Sequence, residues 1–115
     1  MPFDHLKMLD IIETMEGFLG RKRPPEEICP KLDFGYKIEG HSVFIFEIRP
    51  AWDNPEIYLE YSFAKATYVI AKDHWKIYWM RASGKWDLYK PKQVVKTLKK
   101  FTGLVEEDTY GCFFG

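Results

Sequence analysis

Five segments between residues 32 and 89 have the residue pattern of β-strands, and short polar turns separate them. In the first, apolar side chains from Leu32 to Ile38 alternate with small or polar ones, which is typical of a strand with one face in water. The longest segment, residues 57–71, is expected to bend or bulge near Ala64–Ala66. Because consecutive strands joined by short turns pair antiparallel, the pattern predicts a meander of about five strands, over residues 32–38, 43–49, 57–71, 75–81 and 86–89.

A helix is expected on each side of these strands. Residues 4–19 repeat apolar side chains at three- and four-residue steps, with Asp4 as the N-cap and Gly20 as the stop. A second helix is predicted to begin at Pro91 and to end at Gly103; its apolar stripe is formed by Val94, Val95, Leu98 and Phe101. The sequence therefore predicts a single α+β domain over residues 1–115, with both helices on one face of the sheet.

The C-terminal tail is unusually aromatic for a chain end. It carries Tyr110, Phe113 and Phe114 within its last six residues, whereas free termini normally fray. We expect the tail to dock, either on its own sheet or on a partner chain. The second arrangement makes a homodimer through the tail a hypothesis.

Composition excludes several classes of protein. The 17 basic and 17 acidic residues balance, so a bulk polyanion-binding protein is not expected, although a local basic patch is. Two cysteines, Cys29 and Cys112, make neither a disulfide framework nor a zinc site. With no signal-peptide pattern and no long apolar run, we expect a cytoplasmic protein without membrane contact. No spacing of ligands or nucleophiles indicates a metal, a cofactor or a catalytic residue.

Aromatic and basic side chains alternate along the segment from Trp75 to Tyr89, which holds five aromatic residues in fifteen. Rings on a sheet beside cations are what stacking of single-stranded bases requires; the other interpretation is cross-strand pairing that only stabilises the sheet. The leading hypothesis is a non-enzymatic binding domain for single-stranded nucleic acid, another anionic ligand or a protein. Its predicted contact residues are Arg49, Lys65, Tyr78, Arg81, Trp86 and Tyr89.

Lysines also cluster after this segment. Lys92, Lys96, Lys99 and Lys100 lie opposite the apolar stripe of the second predicted helix. They are interpreted either as contacts for phosphates or as a solvated face.

Charged residues inside apolar strands suggest an alternative function. Unpaired charges at such positions are costly, so Glu47, Arg49, Glu60 and Lys65 form either ion pairs at a sheet end or a polar pocket. The pocket would make the chain an enzyme of unknown reaction. The two hypotheses differ in whether these four side chains converge in one concave site.

Several motifs resemble a known family. They are Arg23-Pro24-Pro25, Phe46-Glu47-Ile48-Arg49-Pro50, Ala64-Lys65-Ala66-Thr67-Tyr68, the tryptophan-rich segments 75–82 and 85–89, and the ending 108–115. In these residues the chain resembles small bacterial proteins grouped as domain-of-unknown-function family 3024. The resemblance covers nearly the whole chain and implies no activity, substrate or catalytic residue.

Overall fold

The computed structural model describes residues 3–22, 33–108 and 111–113. Leu32, Tyr110 and Phe114, which belong to the predicted first strand and the predicted docked tail, lie outside this range. The described secondary structure consists of α1 (His5–Lys22), β1 (Asp33–Glu39), β2 (Ser42–Pro50), β3 (Tyr58–Val69), β4 (His74–Met80), β5 (Trp86–Leu88), β6 (Val94–Val95) and α2 (Leu98–Glu107).

The strands form one antiparallel sheet in which each strand pairs with the next along the chain, in the order β1-β2-β3-β4-β5. The short strand β6 pairs with β4 beside β5, so that β5 and β6 follow one another along the same edge. The predicted α+β meander is therefore confirmed, with six strands in place of about five.

An extra residue in β3 bends the long hairpin that β2 and β3 form. Ile45 lies opposite Ala64, whereas Phe46 lies opposite Ser62, which leaves Phe63 without a partner on β2. Such a bulge bends its strand and increases the twist. It lies one residue before the predicted bend, and Phe63 is buried with its ring 6.2 Å from that of Phe34.

Both helices cover the same face of the sheet, as the sequence predicted. Because successive strand residues point to opposite faces, this face carries Val43 and Ile45 of β2, Ala64 and Ala66 of β3, and Trp75 and Ile77 of β4. All six are buried in one core. The apolar stripes of the helices complete this core with Ile11, Met15, Phe18, Leu98, Phe101 and Val105.

The predicted start and end of the second helix are wrong. Residues Lys90–Lys92 form only a 3-10 turn, and Val94 and Val95 pair with β4, as their β-branched side chains favour. The helix begins after Thr97, whose hydroxyl caps it by accepting a hydrogen bond from the Lys100 amide at 3.3 Å. It then continues through Gly103 to Glu107.

The described part of the tail docks on its own chain. Asp108 ends α2 in the left-handed conformation, with φ 41°, and its carboxylate accepts a hydrogen bond from the Phe113 amide at 3.0 Å. Phe113 is buried with its ring 4.9 Å from that of Tyr89. The predicted docked tail is thereby confirmed for residues 111–113.

Candidate functional site

The face of the sheet away from the helices carries a cross-strand row of basic and aromatic side chains. Lys37 of β1 lies opposite Phe44 of β2, which lies opposite Lys65 of β3. Lys65 in turn lies opposite Tyr78 of β4. In the part of the chain that the structure describes, no helix covers this surface. We call it the open face and define it by Lys37, Phe44, Lys65, Tyr78 and Trp86.

Three rings of the open face surround one ammonium group. The Nζ atom of Lys65 lies 4.6 Å from the ring centroid of Tyr78, 4.9 Å from that of Trp86 and 5.7 Å from that of Phe44. Trp86 reaches this group because it lies opposite Met80, two residues beyond Tyr78 on β4. The rings of Phe44 and Trp86 meet at 5.8 Å across the strands between them. All three rings are partly exposed.

The environment of Lys65 combines attraction to the rings with partial loss of water. An ammonium over aromatic faces is stabilised by about 0.5–2 kcal/mol, depending on its exposure. Burial opposes the charged form and lowers the pKa of Lys65 below its ordinary 10.5. No carboxylate among the described residues pairs with this ammonium, and its neighbour Lys37 lies 5.5 Å from the Phe44 ring. The open face therefore offers flat rings together with a cation that lacks a counter-ion.

The structure brings together three of the six residues predicted for the contact surface, namely Lys65, Tyr78 and Trp86. Arg81 is exposed and follows Met80 at the start of the β4–β5 turn, where its amide donates a hydrogen bond to the Lys85 carbonyl oxygen at 2.9 Å. The other two, Arg49 and Tyr89, lie away from the open face.

Tyr89 and Arg49 are separated from this group by the alternation of the strands. Tyr89 follows β5 with the opposite orientation to Trp86 and is buried in the core, 2% exposed. Arg49 projects to the helix-bearing side at the far end of β2, where its Nε lies 2.8 Å from a carboxylate oxygen of Glu47.

The four residues of the alternative pocket do not converge. Glu60 lies opposite Ile48, and Lys65 lies opposite Phe44, so both project to the open face. Glu47 and Arg49 flank Ile48 and project to the other side, where they pair with each other. The described residues thus give no concave site that holds all four, which was the arrangement that an enzyme with this pocket required.

Phe44 and Lys37 were missing from the predicted contact residues. Phe44 belongs to the run Val43–Phe46, in which apolar residues point to both faces of β2. Alternation alone places Phe44 on the face opposite Val43, and its partner Lys65 then identifies that face as the basic one. The available signal was therefore the alternation along β2, because the pairing of Phe44 with Lys65 depends on the register of the sheet.

A second polar cluster lies at the end of the sheet where β3 turns into β4. The Tyr68 hydroxyl donates to Asp73 Oδ1 at 2.5 Å, and Lys7 Nζ lies 4.2 Å from the Tyr68 ring centroid. The hydrogen bond from Tyr68 holds the pKa of Asp73 below its ordinary 3.8 and raises that of Tyr68 above 10.0. This cluster ties α1 to the sheet.

The described residues contain no group of three or more His, Cys, Asp or Glu side chains that could hold a metal ion. In the same residues, no helix is long and apolar enough to cross a membrane.

Comparison with known proteins gives a family and no activity. A family model described as "Domain of unknown function (DUF3024)" matches residues 3–115. No curated protein and no solved structure matches the chain.

Proposed function

The chain belongs to the DUF3024 family, a domain of unknown function, and from this premise we propose that it is a non-enzymatic binding domain whose open face holds single-stranded nucleic acid. The observation that carries the proposal is the Lys65 ammonium, which lies among three partly exposed rings and has no carboxylate partner within residues 3–22, 33–108 and 111–113. A structural ion pair would neutralise this charge within the chain. Because the charge is not neutralised by such a pair, it suits an anionic ligand that also has flat faces.

Single-stranded nucleic acid combines these two properties. Each base stacked on an aromatic side chain contributes about 1–3 kcal/mol, and the stacking tolerates any sequence because every base has a π-face. Lysines beside the rings contact phosphates and release counter-ions. The zero net charge of the chain is compatible with this because the basic residues concentrate locally.

Binding requires Lys65 to move. In the free protein its ammonium occupies the space over Tyr78 and Trp86, which is where a base would stack. The flexible four-carbon stem of lysine allows the ammonium to turn outward to a phosphate while a base replaces it over the rings. The rings thus keep a partner in both states, which limits the cost of exposing them.

Replacing one ring of the open face tests the proposal. We expect Tyr78→Leu to weaken binding of a labelled single-stranded oligonucleotide by about 5- to 150-fold, the equivalent of about 1–3 kcal/mol for one stacked base. Leucine keeps apolar bulk on β4 and removes only the aromatic face. The measurement is fluorescence anisotropy, with thermal melting to establish that the variant folds.

Tyr61→Leu is the matched control because Tyr61 is an exposed tyrosine of β3, 52% accessible, that lies opposite Glu47 on the other side of the sheet. It should bind like the parent. Equal affinities of the parent, the Tyr78 variant and the Tyr61 variant would contradict the proposal and leave a protein partner as the ligand to search for. Self-association through the tail stays a prediction, and Phe113 is already buried within its own chain.

A further inference from the structure

A basic recess opens beside β6, outside the open face. Its volume is about 260 Å³. It is lined by Val94 and Val95 of β6 and by four basic side chains, His74, Lys92, Lys96 and Lys100.

The basic groups of this recess have few partners. None of its three lysines forms an ion pair with a carboxylate among the described residues; Lys96 Nζ reaches only the Asp73 carbonyl oxygen, at 3.4 Å. The Nε2 atom of His74 is buried and has no hydrogen-bond partner among the residues that the structure describes. A buried polar atom is costly to leave unpaired, so this nitrogen is available to a hydrogen-bonding group of a ligand.

Acidic groups around the recess offset part of its charge. The Asp73 carboxylate accepts the hydrogen bond from Tyr68 and also attracts Lys96 and His74. Glu107 lines a neighbouring recess that it shares with Lys92 and Lys100. The recess therefore combines several ammonium donors with an imidazole nitrogen, and this donor set suits the oxygens of a phosphate group.

The recess lies at the edge of the sheet, where β6 meets α2, and His74 connects it with the open face. Along β4, His74, Lys76 and Tyr78 occupy alternate positions and so point the same way, and Lys76 between them is exposed. Tyr78 lies four positions after His74, a span of about 13 Å at about 3.3 Å per residue. A basic track thus runs along β4 from the rings to the recess.

We infer that the recess holds a backbone phosphate of the same strand whose bases stack on the open face, so that the ligand runs along β4. This inference rests on the proposed function and extends it. At about 3.4 Å per stacked nucleotide, the track from Tyr78 to His74 takes about four nucleotides. A hexanucleotide reaches both places, whereas a dinucleotide bound at the rings does not.

Lys100→Gln tests the inference, with Lys99→Gln as the matched control. Both lysines are exposed residues of α2, but Lys99 lies in a different groove, beside Asp10 and Glu13 of α1. Affinities for a dinucleotide and a hexanucleotide are measured by tryptophan fluorescence over a range of salt. For Lys100→Gln the hexanucleotide should bind about threefold or more weakly, and the slope of log affinity against log salt should become shallower by about 0.7, the loss of one phosphate contact to a single strand. Dinucleotide affinity should not change, and Lys99→Gln should behave like the parent.

The outcomes separate the inference from the proposed function. If both variants bind the hexanucleotide like the parent, the inference is wrong, while quenching by the dinucleotide still supports the open face. If neither oligonucleotide binds the parent, the proposed function fails. In that case a titration with inorganic phosphate, at constant pH and ionic strength, decides on the recess: a saturable shift of the His74 ring resonances that Lys100→Gln weakens supports a phosphate site, and its absence overturns it.

Discussion

The packing on the sheet face away from the helices predicts a clear loss of stability for one substitution, Gly35→Ala. Gly35 of β1 lies opposite Phe46 of β2. A Cβ atom added at Gly35 would lie 2.6 Å from Phe46 Cε1 and 2.7 Å from Cζ. Carbon atoms in favourable contact are about 3.5–4.0 Å apart, so the ring must move by about 1 Å. Phe46 is only 7% exposed and has little room to do so.

The change in the free energy of unfolding caused by Gly35→Ala follows from two opposing effects. Overpacking of this kind costs about 1–3 kcal/mol. Against it, alanine restricts the unfolded chain and recovers about 0.4–1 kcal/mol, since the backbone at Gly35 has no positive φ that would strain it. We expect a net loss of about 1 kcal/mol in the free energy of unfolding, or about 4 °C in Tm for a domain of this size.

Urea denaturation and thermal melting measure this loss, with Gly103→Ala as the control. No atom would lie within 4 Å of a Cβ at Gly103, and this glycine lies inside α2, so alanine should stabilise the protein by about 0.5–1 kcal/mol. In a Phe46→Leu background, Gly35→Ala should cost less, because the two sites are coupled. A Gly35→Ala variant that is at least as stable as the parent would refute the packing of Phe46 over Gly35.

Three further substitutions have defined outcomes. Lys65→Met removes an ammonium whose pKa is lowered by burial. Because the unfolded chain holds that proton more tightly, the parent should gain stability relative to the variant as pH rises towards 10.5. Denaturation at about pH 8 and pH 10 measures the difference in stability, and a difference that stays constant would contradict this. Asp73→Asn keeps a residue that tolerates the left-handed backbone at φ 49° but removes a carboxylate whose pKa is lowered. As pH falls below 3.8, only the parent should lose the stabilising hydrogen bond from Tyr68. Identical acid-unfolding curves of parent and variant would argue against this role of Asp73. Phe113→Ala removes the ring that contacts Tyr89 and should lower the free energy of unfolding by about 3 kcal/mol. An unchanged Tm would mean that the tail does not dock.

The sequence predicted the sheet well because the alternation of side chains is a strong signal. It failed at Val94 and Val95 because a two-residue strand is too short to alternate, and because Val94, Leu98 and Phe101 also fit the spacing of a helix face. Thr97 offered a signal for the correct start of the helix, since a threonine before an apolar helical stretch is a good N-cap. Here β-branching and capping together decided where the helix begins.

The candidate site was less predictable because it depends on register and twist. Nothing in the sequence fixes which residue of β2 lies opposite Lys65, and Trp86 approaches Phe44 only because the sheet brings the two rings over the intervening strands. Alternation could have separated Trp86 from Tyr89, which are three residues apart and therefore point to opposite faces. It could likewise have placed Glu47 and Arg49 together on one face. Membership of the open face was thus partly predictable, whereas the distances within it were not.

The most direct test of the central claim is a tryptophan-fluorescence titration of the parent protein with short single-stranded DNA and RNA, at low and at moderate salt. Trp86 is part of the open face, whereas Trp75 is buried and only 1% exposed, so a stacked base should quench part of the emission. The open-face account predicts saturable quenching whose affinity falls as salt rises. No change in emission with either nucleic acid at either salt would contradict it.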